Sequence, residues 1–233
     1  LAAEAVFRVS GKQPELWDAV TGKMRDLPDW RAEGVRTAVR MELAPRQSFF
    51  VVFRKDAESG KAAGARNFPT IKPAGSIAGP WDVFFDPNWG GPGRVVFEKL
   101  DDWSKRPEPG IRFFSGTANY KTTFDLPPAL RGSRGPIYLD LGRVENLAAV
   151  RLNGKDLGVV WTAPWRVEIT GAARPTGNRL EIDVVNLWPN RLIGDAALPP
   201  EKRHTVTNVT TYKKDSPLLE SGLLGPVSLQ QSE

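Results

Sequence analysis

Val150-Arg151-Leu152-Asn153-Gly154-Lys155-Asp156-Leu157-Gly158 is the stretch whose reading decides the fold. An Asn-Gly pair between two β-rich runs is the strongest short-range hairpin signal, because both residues accept positive φ in a tight turn. It joins a strand over 148–152 to one over 158–161. Outward from this hairpin the same grammar repeats. Residues 137–141 precede it, and 165–169 follow it and stop at Thr170-Gly171. Thr176-Gly177-Asn178 turns the chain into 179–187, where Leu180, Ile182 and Val184 alternate with Glu181 and Asp183. Residues 118–126 alternate through Tyr120, Thr122 and Phe124, and 81–85, 94–97 and 226–229 complete the set. Period-two alternation between Gly and Pro turns indicates antiparallel strands. About eight of them in one run predict an all-β jelly-roll β-sandwich over 79–233.

Residues 1–55 read as a small antiparallel β segment. Val35, Thr37, Val39, Met41 and Leu43 alternate with polar neighbours, and Phe49-Phe50-Val51-Val52-Phe53 is an apolar run. Four or five strands make half a sandwich, so the Phe49/Val51/Phe53 or Phe50/Val52 face is expected to pack on 79–233 or on a second copy. Residues 56–78, with Ser59-Gly60-Lys61-Ala62-Ala63-Gly64 at their centre, read as a linker.

The 233 residues hold no cysteine, which excludes thiol chemistry, disulfides and cysteine metal sites. No apolar run approaches the roughly 20 residues of a membrane helix. The net charge of +5 is spread without charge blocks, so neither nucleic acid nor a membrane is an expected partner. The 22 Gly and 20 Pro leave no room for long helices. The chain opens at Leu1 without a leader pattern and reads as a piece of something longer.

Little here supports catalysis. His204 is the one histidine, and there is no HExxH or GxSxG motif. Asn88-Trp89-Gly90-Gly91-Pro92-Gly93 matches no phosphate loop and reads as a turn. The 27 carboxylates nominate no catalytic pair. Tryptophan is the informative residue, with eight copies. Its ring can stack on the C–H face of a sugar or fill a sandwich core. Trp81 and Trp165 begin apolar strand patterns and are assigned to the core. Trp89, Trp103, Trp161 and Trp188 lie in or beside turns and are candidates for exposure. The densest polar cluster is Asn186-Leu187-Trp188-Pro189-Asn190-Arg191-Leu192-Ile193-Gly194-Asp195, read as a loop. Two readings stand open: a binding loop, or a loop pinned by an Arg191–Asp195 ion pair over a buried Trp188.

Phe114-Ser115-Gly116-Thr117-Ala118-Asn119-Tyr120, the Asn153-Gly154 hairpin, Ala163-Pro164-Trp165 through Thr170, and Gly177-Asn178-Arg179-Leu180 together resemble the sugar-binding domain of family 2 glycoside hydrolases. Trp188 to Asp195, with Glu15-Leu16-Trp17-Asp18 and the Phe49–Phe53 run, resembles the C-terminal region of bacterial α-L-rhamnosidase-like hydrolases of family 106. The resemblance implies a galactose-binding-like sandwich beside a catalytic barrel that this chain lacks, so no catalytic residue carries over. It implies a non-catalytic carbohydrate-binding module, or else a purely structural accessory domain. It further implies a secreted or periplasmic bacterial parent, the parent's catalytic domain as a partner, and a plant or microbial polysaccharide or oligosaccharide as ligand. The expected binding surface is Trp188, Asn190, Arg191 and Asp195, with Trp161 and Trp89 nearby. No cofactor is required. The resemblance allows for a structural calcium, with Asp82 and Asp86 beside the first sandwich strand as candidate ligands.

Overall fold

The computed structural model describes residues 1–45, 47–57, 65–133, 135–208 and 211–232. Part of the stretch read as a linker, 58–64, lies outside them. The chain divides into two compact units, Leu1–Ile71 and Lys72–Ser232.

Among the described residues the first unit has six strands: β1 (Ala2–Phe7), β2 (Lys12–Trp17), β3 (Met24–Asp26), β4 (Trp30–Glu33), β5 (Arg36–Glu42) and β6 (Phe50–Asp56). They form two three-stranded antiparallel sheets, ordered β1-β5-β4 and β3-β2-β6. Leu16, Leu27, Val39 and Met41 form one buried cluster joined by Ala5, Phe7, Trp30, Phe49, Val51 and Phe68. This corrects the expectation of a lone half-sandwich. β1, β4 and β5 supply the second sheet, so Phe49 and Val51 are covered within the unit, and the ring of Phe53 lies 5.3 Å from that of Phe7. The unit's core reaches Phe68, beyond the boundary read at residue 55.

Glu15 is the one buried carboxylate among the described residues of the unit and is 3% exposed. Arg54 donates to both of its oxygens, Nε to Oε2 at 2.8 Å and Nη2 to Oε1 at 3.1 Å, and Lys55 Nζ stands 2.8 Å from Oε1. Arg54 and then Lys55 hold the carboxyl at about 2, below its ordinary 4.5. The folded value lies below the unfolded one. The stabilisation is therefore complete above pH 4.5 and is lost as the pH falls through about 2. Amide exchange in β2 and β6 is expected to accelerate across that window in the wild type and to lose most of this acid dependence in Glu15→Gln. An identical acid dependence in both proteins would contradict this role.

The second unit carries β7 (Ile71–Ser76), β8 (Trp81–Phe85), β9 (Gly93–Phe97), α1 (Pro109–Arg112), β10 (Thr117–Phe124), β11 (Ile137–Asp140), β12 (Arg143–Glu145), β13 (Leu147–Leu152), β14 (Lys155–Val160), β15 (Arg166–Glu168), β16 (Asn178–Val185), α2 (Pro189–Ala196), β17 (Gly222–Gly225) and β18 (Ser228–Ser232). A six-stranded sheet runs β14-β13-β16-β10-β8-β9, and a four-stranded sheet runs β15-β11-β18-β7. The small β12-β17 pair lies beside them in the same core. Val83, Tyr120, Val150, Ile182 and Val184 from the first sheet meet Leu139, Val167 and Leu229 from the second. The jelly-roll-like, all-β sandwich expected from the alternation is therefore present. Its first strand, β7, falls inside the stretch read as a linker. Ile71-Lys72-Pro73-Ala74-Gly75-Ser76 lacks strand composition and takes extended form by lying at the edge of the four-stranded sheet, where Pro is tolerated. Among the described residues no helix is long and apolar enough to cross a membrane.

Candidate functional site

The register of the six-stranded sheet brings three separate turns to one end. Phe85 pairs with Gly93 and Ala118, Thr117 with Val185, Leu147 with Val185, and Ala148 with Val160. The chain therefore leaves β14, β16 and β8 at the same end. Trp161 follows β14 directly, Trp188 lies three residues past β16, and Trp89 lies four past β8. These are the first, third and fifth strands of the sheet. At about 4.8 Å between strands the row is on the order of 20 Å long. All three rings face solvent, at 57% exposure for Trp161, 58% for Trp188 and 54% for Trp89. Trp103 departs from expectation, being wholly buried. Its Nε1–H donates to the Tyr120 hydroxyl at 2.6 Å, which satisfies the indole's polar atom inside the core. Trp81 is buried as expected, and Trp165 packs against the core partly covered.

The stretch read as a loop after Asn186 is the helix α2. Pro189 occupies its first turn, where a missing N–H costs nothing. Asn190, Arg191 and Asp195 are 1%, 6% and 3% exposed and point into the protein. They therefore do not form the expected surface donor and acceptor set. The Asn190 carboxamide donates to Leu219 O (2.7 Å) and Ser221 Oγ (3.1 Å) and accepts from Leu219 N (2.8 Å). Arg191 Nη2 donates to Trp89 O at 3.0 Å, and Nη1 lies 3.8 Å from Asp195 Oδ1. Burial pushes the Arg191 guanidinium below its ordinary value, and Asp195 opposes the shift. Asp195 Oδ2 accepts from Thr205 N at 2.8 Å and Thr205 Oγ1 at 2.6 Å. These bonds offset the cost of burying the three side chains, and Asp195 Oδ1, which accepts no hydrogen bond, faces the Arg191 guanidinium instead. Asn186 is structural as well, accepting from Gly116 N (3.0 Å) and donating to Phe114 O (2.8 Å). The Arg191–Asp195 pair of the rival reading exists, but Trp188 is not buried beneath it.

An open groove is lined by Glu145, Asn146, Leu187, Leu218, Leu219 and Glu220, and Leu187 immediately precedes Trp188 in the chain. Burial raises the Glu145 carboxyl, Arg143 opposes the rise, and the Glu220 and Asp102 charges add to it. Asn146 donates to Glu145 at 3.2 Å, and Arg143 bonds Glu220. No sequence motif marked these residues, because only the approach of 218–220 to the start of β13 assembles them.

The candidate calcium ligands Asp82 and Asp86 both bond to protein groups. Arg94 holds Asp82 with two bonds of 2.6 and 2.7 Å and keeps its carboxyl below the usual range. Asp86 caps the turn at Pro87–Trp89 by accepting from Asn88 N at 2.9 Å. A guanidinium thus engages both oxygens of Asp82, and a backbone amide engages one oxygen of Asp86. Among the described residues no three His, Asp or Glu side chains are grouped to hold a metal ion.

Residues 108–214, within the second unit, match the family described as glycosyl hydrolase 2 galactose-binding domain-like. The likeness to particular proteins extends further along the chain. A rhamnosidase from Novosphingobium sp. PP1Y is 41% identical, with a TM-score of 0.90 over 98% of this chain and 21% of its own. A protein of Formosa agariphila, provisionally named a beta-glucuronidase, is 39% identical over 66% of this chain and 15% of its own length. The chain thus spans about a fifth or less of these relatives.

Proposed function

We propose that this chain is a non-catalytic carbohydrate-binding accessory module of a rhamnosidase-like glycoside hydrolase, working beside the parent's catalytic domain in a secreted or periplasmic bacterial enzyme. The observation that carries the reading is the row of exposed Trp161, Trp188 and Trp89 at one end of the sheet. Exposing three indoles together is unfavourable unless something covers them, and indole faces suit the C–H faces of sugar rings. The groove that Leu187 lines adds carboxylate and carboxamide partners for hydroxyl groups. The ligand class is a plant or microbial polysaccharide or oligosaccharide, and the reading calls on no cofactor. A shallow stacking site buries little area, so a Kd of about 10 μM to 1 mM is expected.

The alternative, a purely structural accessory domain, is favoured by the buried bonding of Asn190, Arg191 and Asp195. An array of plant and microbial oligosaccharides, followed by titration of the best binder, separates the two. Trp188→Ala is expected to weaken binding tenfold or more, about 1.4 kcal/mol, with melting unchanged within a degree or two. Absence of any glycan binding by the wild type, or full affinity in Trp188→Ala together with Trp89→Ala, would leave the structural reading in place.

A further inference from the structure

The turn that carries Trp89 is held from two sides by groups tied to one helix. From α2, the 6%-exposed Arg191 reaches Trp89 O at 3.0 Å. From the same helix, Asp195 fixes Thr205 by two hydrogen bonds, and the neighbouring His204 lays its imidazole over Gly90. A Cβ at Gly90 would fall 2.6 Å from His204 Cε1 and Nε2, so the contact requires glycine. Gly90 also has φ +74°, a conformation that costs glycine nothing. Trp188 stands at the N-terminal end of this same helix. A single rigid element therefore carries one tryptophan and grips the turn bearing another.

We propose that Arg191 and His204 are positioning residues that fix Trp89 relative to Trp188, and so set the spacing of the carbohydrate-stacking row, an inference that rests on the carbohydrate-binding reading for its purpose but not for its geometry. Neither residue touches ligand. Arg191 acts through the Trp89 carbonyl, and His204 acts through the face of Gly90.

The test reads the free protein first. The indole N–H resonance of Trp89, assigned with Trp89→Phe, is followed in Arg191→Met combined with Asp195→Asn, in Arg191→Lys and in His204→Ala. The double variant avoids leaving a buried carboxylate without its cation. The resonance is expected to shift or broaden in the double variant and in His204→Ala, and to return toward its wild-type position in Arg191→Lys, which keeps a donor. The resonances of the core residues Trp81 and Trp103 should stay in place, which separates repositioning from general loosening. Affinity for the best oligosaccharide on the array is expected to fall tenfold or more in the double variant and to recover in Arg191→Lys. An unmoved Trp89 resonance in both the double variant and His204→Ala would overturn the proposal. A shifted resonance in a protein that binds no glycan would sustain the positioning and remove the carbohydrate reading alone.

Discussion

Gly222→Ala is expected to destabilise the second unit by roughly 3–5 kcal/mol, combining overpacking with backbone strain. Gly222 opens β17 with φ +104°, a region that L residues rarely enter. A methyl there would overlap the Trp103 indole, with Cδ1 and Cε2 both at 2.7 Å and Nε1 nearer still. The indole has nowhere to go. It is wholly buried, bonded to the Tyr120 hydroxyl, and stacked on that ring at 10° between planes. Phe85 meets it edge-on at 5.2 Å and Phe114 at 5.9 Å. Either the Trp103–Tyr120 bond breaks, or β17 withdraws from its pairing with β12 at Glu145. For a unit of this size the midpoint should fall by about 6–20 °C. Urea unfolding of the variant would settle it, and a loss below about 1 kcal/mol would show that the core accommodates the methyl.

Asn178→Ala should cost nearly as much, by a different mechanism. The Asn178 side chain is fully buried where β16 begins. Its Nδ2 donates to Arg174 O at 2.7 Å and Phe124 O at 3.3 Å, and its Oδ1 accepts from Arg174 N at 2.8 Å and Asn153 Nδ2 at 3.0 Å. Asn153, at φ +55° in the β13–β14 turn, in turn accepts from Arg179 N and donates to Ala172 O. One amide thus ties together the hairpin, the 172–178 loop and the end of β10. Truncation leaves buried donors and acceptors unpaired at about 1–3 kcal/mol each, partly relieved by water, for a net loss of roughly 3–5 kcal/mol. Asn178→Asp should not rescue it, because a carboxylate would place an acceptor against the carbonyls of Arg174 and Phe124. Equilibrium unfolding of both variants checks this, and near-wild-type stability in either would show that the network is replaceable.

The same residues show how far the sequence could be read. Asn153-Gly154 marks a hairpin because positive φ is a local property, and the observed angles are +55° and +82°. Leu180, Ile182 and Val184 mark the buried face of β16 because alternation is local too. Gly177-Asn178 signals a turn, but the four bonds of Asn178 come from residues up to 54 positions away. Trp103 and Trp188 show the limit more sharply. Both stand beside turns, yet one is sealed by Phe85, Phe114 and Tyr120 and the other faces solvent. Asn190, Arg191 and Asp195 look like a polar surface loop, and their polarity is spent inside on Leu219, Trp89 and Thr205.

Local rules thus determined the strands, the tight turns, the all-β class and the resemblance carried by the hairpin and its neighbours. Tertiary structure alone decided three further matters. It supplied the second sheet of the first unit. It turned a polar run into a buried helix. It also lined up Trp161, Trp188 and Trp89 by register across alternate strands. The physical reason is that backbone dihedrals and side-chain alternation are set within a few residues. Burial, hydrogen-bond partners and the gathering of a surface are set by contacts between segments far apart in the chain.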